Sequence, residues 1–419
     1  MAVLHTILLA GSLIFGTPPD TLRVARSEIL LRVRDRSPII AAQREEANAL
    51  RYDAENAGLA ANPDINAEFP LYTRSLGTWF DLTRNGQFSA AISQQLPIAG
   101  VRSAEAGSLR SQAEAADEIA RQQTQFVLRD AAAEYTTLVY ARRTLDALSH
   151  QLELLRPIID GMRTQLERGN VAMKDLLRIQ AAAYAIDQDR AEALRTASAA
   201  ETRLRSLAGV DGPLLPTDAP TSVNVPAWLV GLSMDSLIQR AMINRADVMA
   251  AAFDVRAAEQ ARLATYRRAV PEPSVGVSYD KAGSYAPDFF GVTLSLPLPV
   301  INRQQWASEA AEARVRAAKA RLERVRRAVE TDVRNAVDRW RSLSQQRASV
   351  DPQFLKRTID LTDNIIENYR KGNVSLLEFV DFIETYNESI IRQNVIDAQY
   401  SNALDDARIA IGEDLLATP

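Results

Sequence analysis

The sequence predicts a mainly α-helical chain with a small β part: a tandem duplication of one long antiparallel helical hairpin, each copy preceded by two short strands. Three observations carry that reading. Sequence anchors recur in one order at an offset near 203 residues, apolar residues repeat alternately every three and four positions, and four short runs alternate apolar with small or polar residues. The length of 419 residues excludes a small disulfide scaffold. Cysteine is absent, which removes thiol catalysis, zinc–cysteine sites and disulfides, and only two histidines remain for any metal or proton chemistry. With 49 basic and 53 acidic residues the net charge is −4, which gives no reason to expect nucleic acid or anionic lipid as a partner.

At the N-terminus, residues 2–15 form an uncharged 14-residue stretch, too short to span a membrane as a helix but suited to the core of an export signal. A buried N-terminal helix is the alternative, since Lys and Arg are missing before the stretch and no A-x-A site precedes Thr17. No other stretch approaches 18 uninterrupted apolar residues, so any membrane contact falls to strands or to the protein surface. The order that follows is a signal peptide and extension over 1–19, a first repeat over 20–209, a Pro-rich connector over 210–233 and a second repeat over 234–419.

The repeat rests on four anchors. Arg168-Gly169-Asn170-Val171 returns as Lys371-Gly372-Asn373-Val374, and Gly209 returns as Gly412, both at 203 residues. Leu96-Pro97-Ile98 matches Leu298-Pro299-Val300 at 202, and the segment from Ser37 matches that from Ala246 at 209. Between the copies, Pro213, Pro216, Pro220 and Pro226 predict an extended connector.

In the first repeat a helix from Val101 to Arg168 carries a seam of Leu138, Ala141, Leu145, Leu148, Leu152, Leu155, Ile159, Met162 and Leu166. After the Gly-Asn break a second seam runs through Leu176, Ile179, Ala183, Ile186, Ala193, Ala197, Ala200, Leu204 and Leu207, so the two helices should pair antiparallel. The second repeat places Phe379, Phe382, Tyr386, Ile396, Tyr400, Ala403, Ala407 and Ala410 on its return seam. Its outgoing seam is Trp340, Leu343, Val350, Phe354, Leu361 and Ile365. Pro157 and Pro352 should bend or locally open their helices.

The strand runs are Ile65, Ala67, Phe69, Leu71; Phe88, Ala90, Ile92; Val275, Val277, Tyr279; and Phe290, Val292, Leu294, Leu296, each alternating with small or polar neighbours. A half-buried soluble sheet would show this pattern, and so would a transmembrane β-barrel strand with an apolar outer and polar inner face. Tyr72, Trp79, Phe80, Tyr285 and Phe289 sit where an aromatic girdle would. Four strands cannot close a barrel, so a membrane-spanning chain of this kind must pool strands with copies of itself.

This order resembles the TolC-type outer-membrane efflux family over almost the whole mature chain. Its most specific marks are the two turns RGNVAMKDLL from Arg168 and KGNVSLLEFV from Lys371. They are similar to the family's periplasmic tip motif: a Gly, a small hydroxyl residue three later and an acid six later. Gly372, Ser375 and Glu378 match all three, whereas the first turn matches at Gly169 and Asp175 and has Ala172 in the hydroxyl position. The strand exits QQLPIAGVR and PLPVINRQQ are similar to the heavy-metal-efflux branch.

The resemblance implies a homotrimer with a twelve-stranded barrel continued by an α-helical barrel, in the outer membrane of a Gram-negative-type bacterium with a long periplasmic portion. It implies outer-membrane lipid, a periplasmic adaptor (membrane fusion) protein and an inner-membrane transporter of the resistance-nodulation-division type as partners. It implies Arg168, Gly169, Asn170, Val171, Lys371, Gly372, Asn373, Val374 and Ser375 as adaptor-docking tips. Asp175 and Glu378, with Asp381 and Glu384 one turn on, are the implied carboxylates of a tunnel mouth, where acidic rings repel anions until an adaptor draws the hairpins apart. No cofactor, metal site or enzymatic activity is implied.

The residues also admit plainer roles. Ser375 and Glu378 fit a capping box, and Gly169 and Gly372 fit helix C-caps. The Arg-rich stretch Arg314–Arg341 is interleaved with Glu and Asp, as in a solvated helix face, and His150 stands alone beside the first seam. No phosphate loop, dinucleotide fingerprint or Ser-His-Asp set is present. A soluble periplasmic coiled-coil scaffold, or a coiled coil that binds nucleic acid through its Arg-rich helix, are the rival readings.

Overall fold

The computed structural model describes residues 21–74, 77–80, 88–218, 225–282, 287–349 and 364–416. The export stretch 2–15, Tyr285 of the expected girdle, and Val350, Pro352, Phe354 and Leu361 lie outside them. The expected hairpin is drawn by α3 (Val101–Glu167) and α4 (Met173–Ala208), and the second return helix by α9 (Leu376–Ala410). Before α3 come β1 (Leu22–Val24), α1 (Arg26–Arg36), α2 (Pro38–Gly58), β2 (Asp64–Glu68), β3 (Tyr72–Thr73), β4 (Thr78–Trp79) and β5 (Ser89–Gln95). Between α4 and α9 come β6 (Leu214–Pro216), α5 (Ala227–Gly231), α6 (Met234–Asn244), α7 (Ala246–Arg267), β7 (Ser274–Ala282), β8 (Pro287–Ser295) and α8 (Gln305–Ala348). Residues 364–370 are helical as well.

Two compact units draw on both repeats. The first comprises the described parts of Met1–Pro38, Thr124–Met234 and Val333–Pro419. Within it, Glu134 pairs with Arg203 (2.8 Å) and Glu201 with Arg142 (3.0 Å), so α3 and α4 run antiparallel as the seams require. Their shared core is larger than a two-helix seam. Leu148, Leu155, Ile158 and Met162 of α3 join Leu176, Ile179, Ala182 and Ile186 of α4 in one cluster with Ile366, Phe379, Val380 and Ile383 of the second hairpin. Ile158 and Ala182 are buried where the heptad reading favoured Ile159 and Ala183, because a helix of 3.6 residues per turn drifts against a strict 3.5-residue repeat. The helical assignment of α3 continues through Pro157.

The connector is only partly the extended link the prolines suggest. Its β6 pairs in parallel with β1, Leu22 opposite Leu214 and Val24 opposite Pro216, and its α5 buries Leu229. Just beyond β1, Arg26 donates to Asp405 of α9 at 2.5 Å, both side chains buried, and its amide donates to Asp218 at 2.9 Å. The buried Tyr135 hydroxyl donates to the Asp218 carboxylate and to the Val24 carbonyl. Burial, reinforced by Asp218, pushes that phenol well above its ordinary value.

The second unit comprises Ile39–Gln123 and Asp235–Asp332 and holds the four-stranded sheet, ordered β2-β5-β7-β8 and antiparallel throughout. The β3–β4 pair brings Tyr72 and Trp79 within 5.0 Å, centroid to centroid.

Candidate functional site

Sheet register converts the sequence alternation into two distinct faces. Ile65, Ile92, Val277 and Val292 stand opposite one another across all four strands, and each is between 42% and 77% exposed. One residue along, Asp64, Ser93, Gly276 and Thr293 form the next row, followed in the other direction by Asn66, Ala91, Ser278 and Gly291. A water-facing sheet would bury its apolar row against a core. Here the apolar row is open, and the opposite face carries small and polar residues that pack tightly at Gly276 and Gly291. A Cβ added at Gly276 would lie 2.7 Å from the Ile92 carbonyl oxygen and 2.7 Å from Thr293 Oγ1, so only glycine fits at that position. No helix among the described residues is long and apolar enough to cross a membrane.

The two hairpin turns are built alike. At the first, Asn170 N–H donates to the Gln165 carbonyl (2.9 Å) and Gly169 N–H to that of Leu166 (2.9 Å). At the second, Asn373 N–H donates to Asn368 (2.9 Å) and Gly372 N–H to Tyr369 (3.0 Å). Both are Schellman closures, which require a left-handed residue. Gly169 (φ +75°) and Gly372 (φ +77°) supply it, and nothing crowds the space around either. Each Asn also bonds back by its side-chain amide, Asn170 to Gln165 (2.8 Å) and Asn373 to Asn368 (3.4 Å).

Beyond the glycines the tips differ. Ser375 and Glu378 form a full capping box: Glu378 N–H donates to the Ser375 hydroxyl (3.3 Å) and Ser375 N–H to the Glu378 carboxylate (2.9 Å). Those bonds hold the Glu378 carboxyl below its ordinary range. Ala172 has nearly the same backbone conformation and no side-chain cap. Val171 and Val374 pack half-buried on the shared core, while Arg168, Gly169, Asn170, Lys371, Gly372, Asn373 and Ser375 are exposed. Lys371 is paired with Glu367 at 2.6 Å.

The expected mouth carboxylates separate into three settings. Glu378 is engaged in its cap. Asp381 and Glu384 line a groove of about 470 Å³ together with Lys174 and Arg178 of α4, so acids and bases of the same chain share its walls. Asp175 lies near Tyr369, whose phenol is raised first by burial and then by that carboxylate. Sequence reasoning missed Tyr369, which stacks on Phe379 at 4.6 Å and donates its hydroxyl to the Met162 sulfur at 3.4 Å, tying the hairpin ends together. The available signal was that position 369 holds Tyr where its repeat counterpart, Leu166, is purely apolar.

His150 is exposed, and so is most of the α8 arginine run, which pairs with acids at Arg327–Glu323 (3.2 Å) and Arg316–Glu312 (3.8 Å). Among the described residues no group of three or more His, Cys, Asp and Glu could hold a metal ion.

The family model described as outer membrane efflux protein matches residues 30–210 and 237–410. No curated protein sequence matches the chain. Among solved structures, CusC superposes with a TM-score of 0.75 at 18% identity, covering 96% of each chain. The Campylobacter jejuni CmeC outer membrane channel gives 0.74 at 14%, covering 96% of this chain and 90% of its own. The open state of the Neisseria gonorrhoeae MtrE outer membrane channel gives 0.70 at 15%, covering 93% and 89%.

Proposed function

The chain belongs to the outer membrane efflux protein family, and from that premise we propose that it is the exit duct of a tripartite assembly. In this reading it passes solutes passively from a periplasmic adaptor and an inner-membrane pump to the exterior. The protein is an outer-membrane transport component rather than an enzyme. The observation that carries the proposal is the sheet: an exposed apolar face, an opposite face of small and polar residues, and edges at β2 and β8 that pair with no further strand among the described residues. In lipid such edges would strand backbone donors and acceptors. Three copies that join β2 of one to β8 of the next satisfy them and enclose the polar face in a twelve-stranded barrel. The exposed apolar row is what a soluble scaffold would have to cover, which favours the channel over that rival.

The helical turns are the docking end in this scheme. Each left-handed glycine stands in open space and holds its neighbours in one presented shape, which suits contact with a partner hairpin. A Leu at Gly169 or Gly372 costs about 1–2 kcal/mol of local conformational energy, little for hairpins of this length. The Gly169→Leu, Gly372→Leu double variant should therefore reach the membrane at normal yield, yet lose efflux and lose crosslinks from a photoreactive residue at Asn373 to the adaptor. Normal efflux from that variant would reduce the tips to helix caps.

A further inference from the structure

The longest paired strands are at the short end of the range for strands that span a membrane. β7 and β8 are nine residues each. Eight steps of about 3.3 Å, tilted by about 40°, give roughly 20 Å of height against an apolar band of about 25 Å. Apolar surface continues next to the strand exits, where each repeat places bare apolar residues outside any sheet ladder. Ile98 is 66% exposed, Val300 68%, Ile301 91% and Trp306 80%.

The backbone of these exits is unusual in the same way in both repeats. In the first, Leu96 N–H donates to the Pro273 carbonyl (2.8 Å), Pro97 has no N–H, and Ile98 N–H turns back to Leu96 (2.9 Å). In the second, Pro297 and Pro299 have no N–H, and Val300 N–H turns back to Leu298 (2.9 Å). Prolines remove three of these donors, and tight i to i+2 turns satisfy Ile98 and Val300. A water-exposed loop does not require this, because water would pair those groups. Backbone at the edge of a hydrocarbon layer needs it.

We propose that Leu96–Ile98 and Leu298–Ile301, with Trp306, form a collar that inserts into the periplasmic leaflet of the outer membrane, its occupant being phospholipid. The collar rests on the channel reading and extends the lipid-facing surface beyond the barrel strands. It is continuous with the exposed row through Leu294 and Leu296, and it ends on an indole beside the exposed Arg303, which matches the carbonyl and phosphate level of a headgroup layer.

The natural chain has no cysteine, so a single introduced thiol carries a nitroxide at one known place. Full-length Ile98→Cys, Ile301→Cys, Val292→Cys and His150→Cys proteins would be labelled, reconstituted in phosphatidylethanolamine vesicles with a minority of phosphatidylglycerol, and probed for collision with oxygen and with an aqueous nickel chelate. The expected result is a shift toward oxygen at Ile98 and Ile301 relative to His150, smaller than the shift at Val292. Nickel access at Ile98 and Ile301 equal to that at His150, with Val292 still shielded, would overturn the collar and leave the channel standing. Exclusion of both reagents at the two exit sites would overturn it in favour of cover by a neighbouring copy. Nickel access at Val292 as well would overturn the membrane assignment and the collar with it.

Discussion

Ser375 and Ala172 occupy the same place in the two repeats with nearly the same backbone, and the difference between them is one hydroxyl. Replacing Ser375 by Ala should cost about 0.5–2 kcal/mol, and Ala172→Ser should gain about 1 kcal/mol, because the helix start is already shaped to receive the cap. Hydrogen exchange at the first-turn amides of α9 and α4 would read the two changes as opposite shifts in protection. The Glu378 half of the box depends on pH. Its folded value lies below the unfolded one, so its contribution is present above the ordinary carboxylate range and is lost as pH falls through the depressed folded value. Protection of the α9 start should therefore drop with acid in the natural chain and stay flat in Glu378→Gln. These tip features were legible in the sequence because caps and glycine turns are local. The Tyr369–Met162 contact was not, since it joins positions 207 residues apart whose meeting depends on how the hairpins pack.

Strands and helices were read with unequal success, for a physical reason. Alternation with a period of two has no slack, because a slip of one residue exposes the wrong face, and the observed register keeps each predicted apolar residue of Ile65, Ile92, Val277 and Val292 in one row. A helical seam does have slack, because 3.6 residues per turn drift against a 3.5-residue repeat, and the buried side chains moved by one position to Ile158 and Ala182 in the core they share with Phe379 and Ile383 of the second hairpin. The short strand within the connector was invisible because its partner, β1, is equally short. Substituting Val292 by Arg should cost about 2–4 kcal/mol if it sits near the bilayer midplane, seen as reduced folding into vesicles, whereas Thr293→Arg should fold and change conductance instead. Gly276→Leu meets backbone as well as a side chain and should abolish barrel formation altogether, as scored by protease-resistant trimer on a gel.

At the scale of the molecule, the four-stranded sheet leaves β2 and β8 without a neighbour among the described residues, so the purified protein in detergent should have the mass of three chains by light scattering. A stable monomer with intact strand signal would remove the barrel. Removing the Arg26 guanidinium, as in Arg26→Met, strips the buried Asp405 of its hydrogen-bonded cation and leaves only the field of Arg408, which should cost up to about 3–5 kcal/mol, visible as a lowered denaturation midpoint of the helical unit. That pair also fixes when folding can finish. Leu22–Val24 finds its strand partner only after the entire first repeat, and Arg26 finds its counter-ion 379 residues downstream. Contacts of such sequence separation form late, because the intervening chain must first be closed into a loop. The beginning of the chain behaves as a clasp rather than a seed: it waits for the last helix to arrive. A chain wired in this way cannot close its first strand pair and its buried ion pair together until residue 405 has been made.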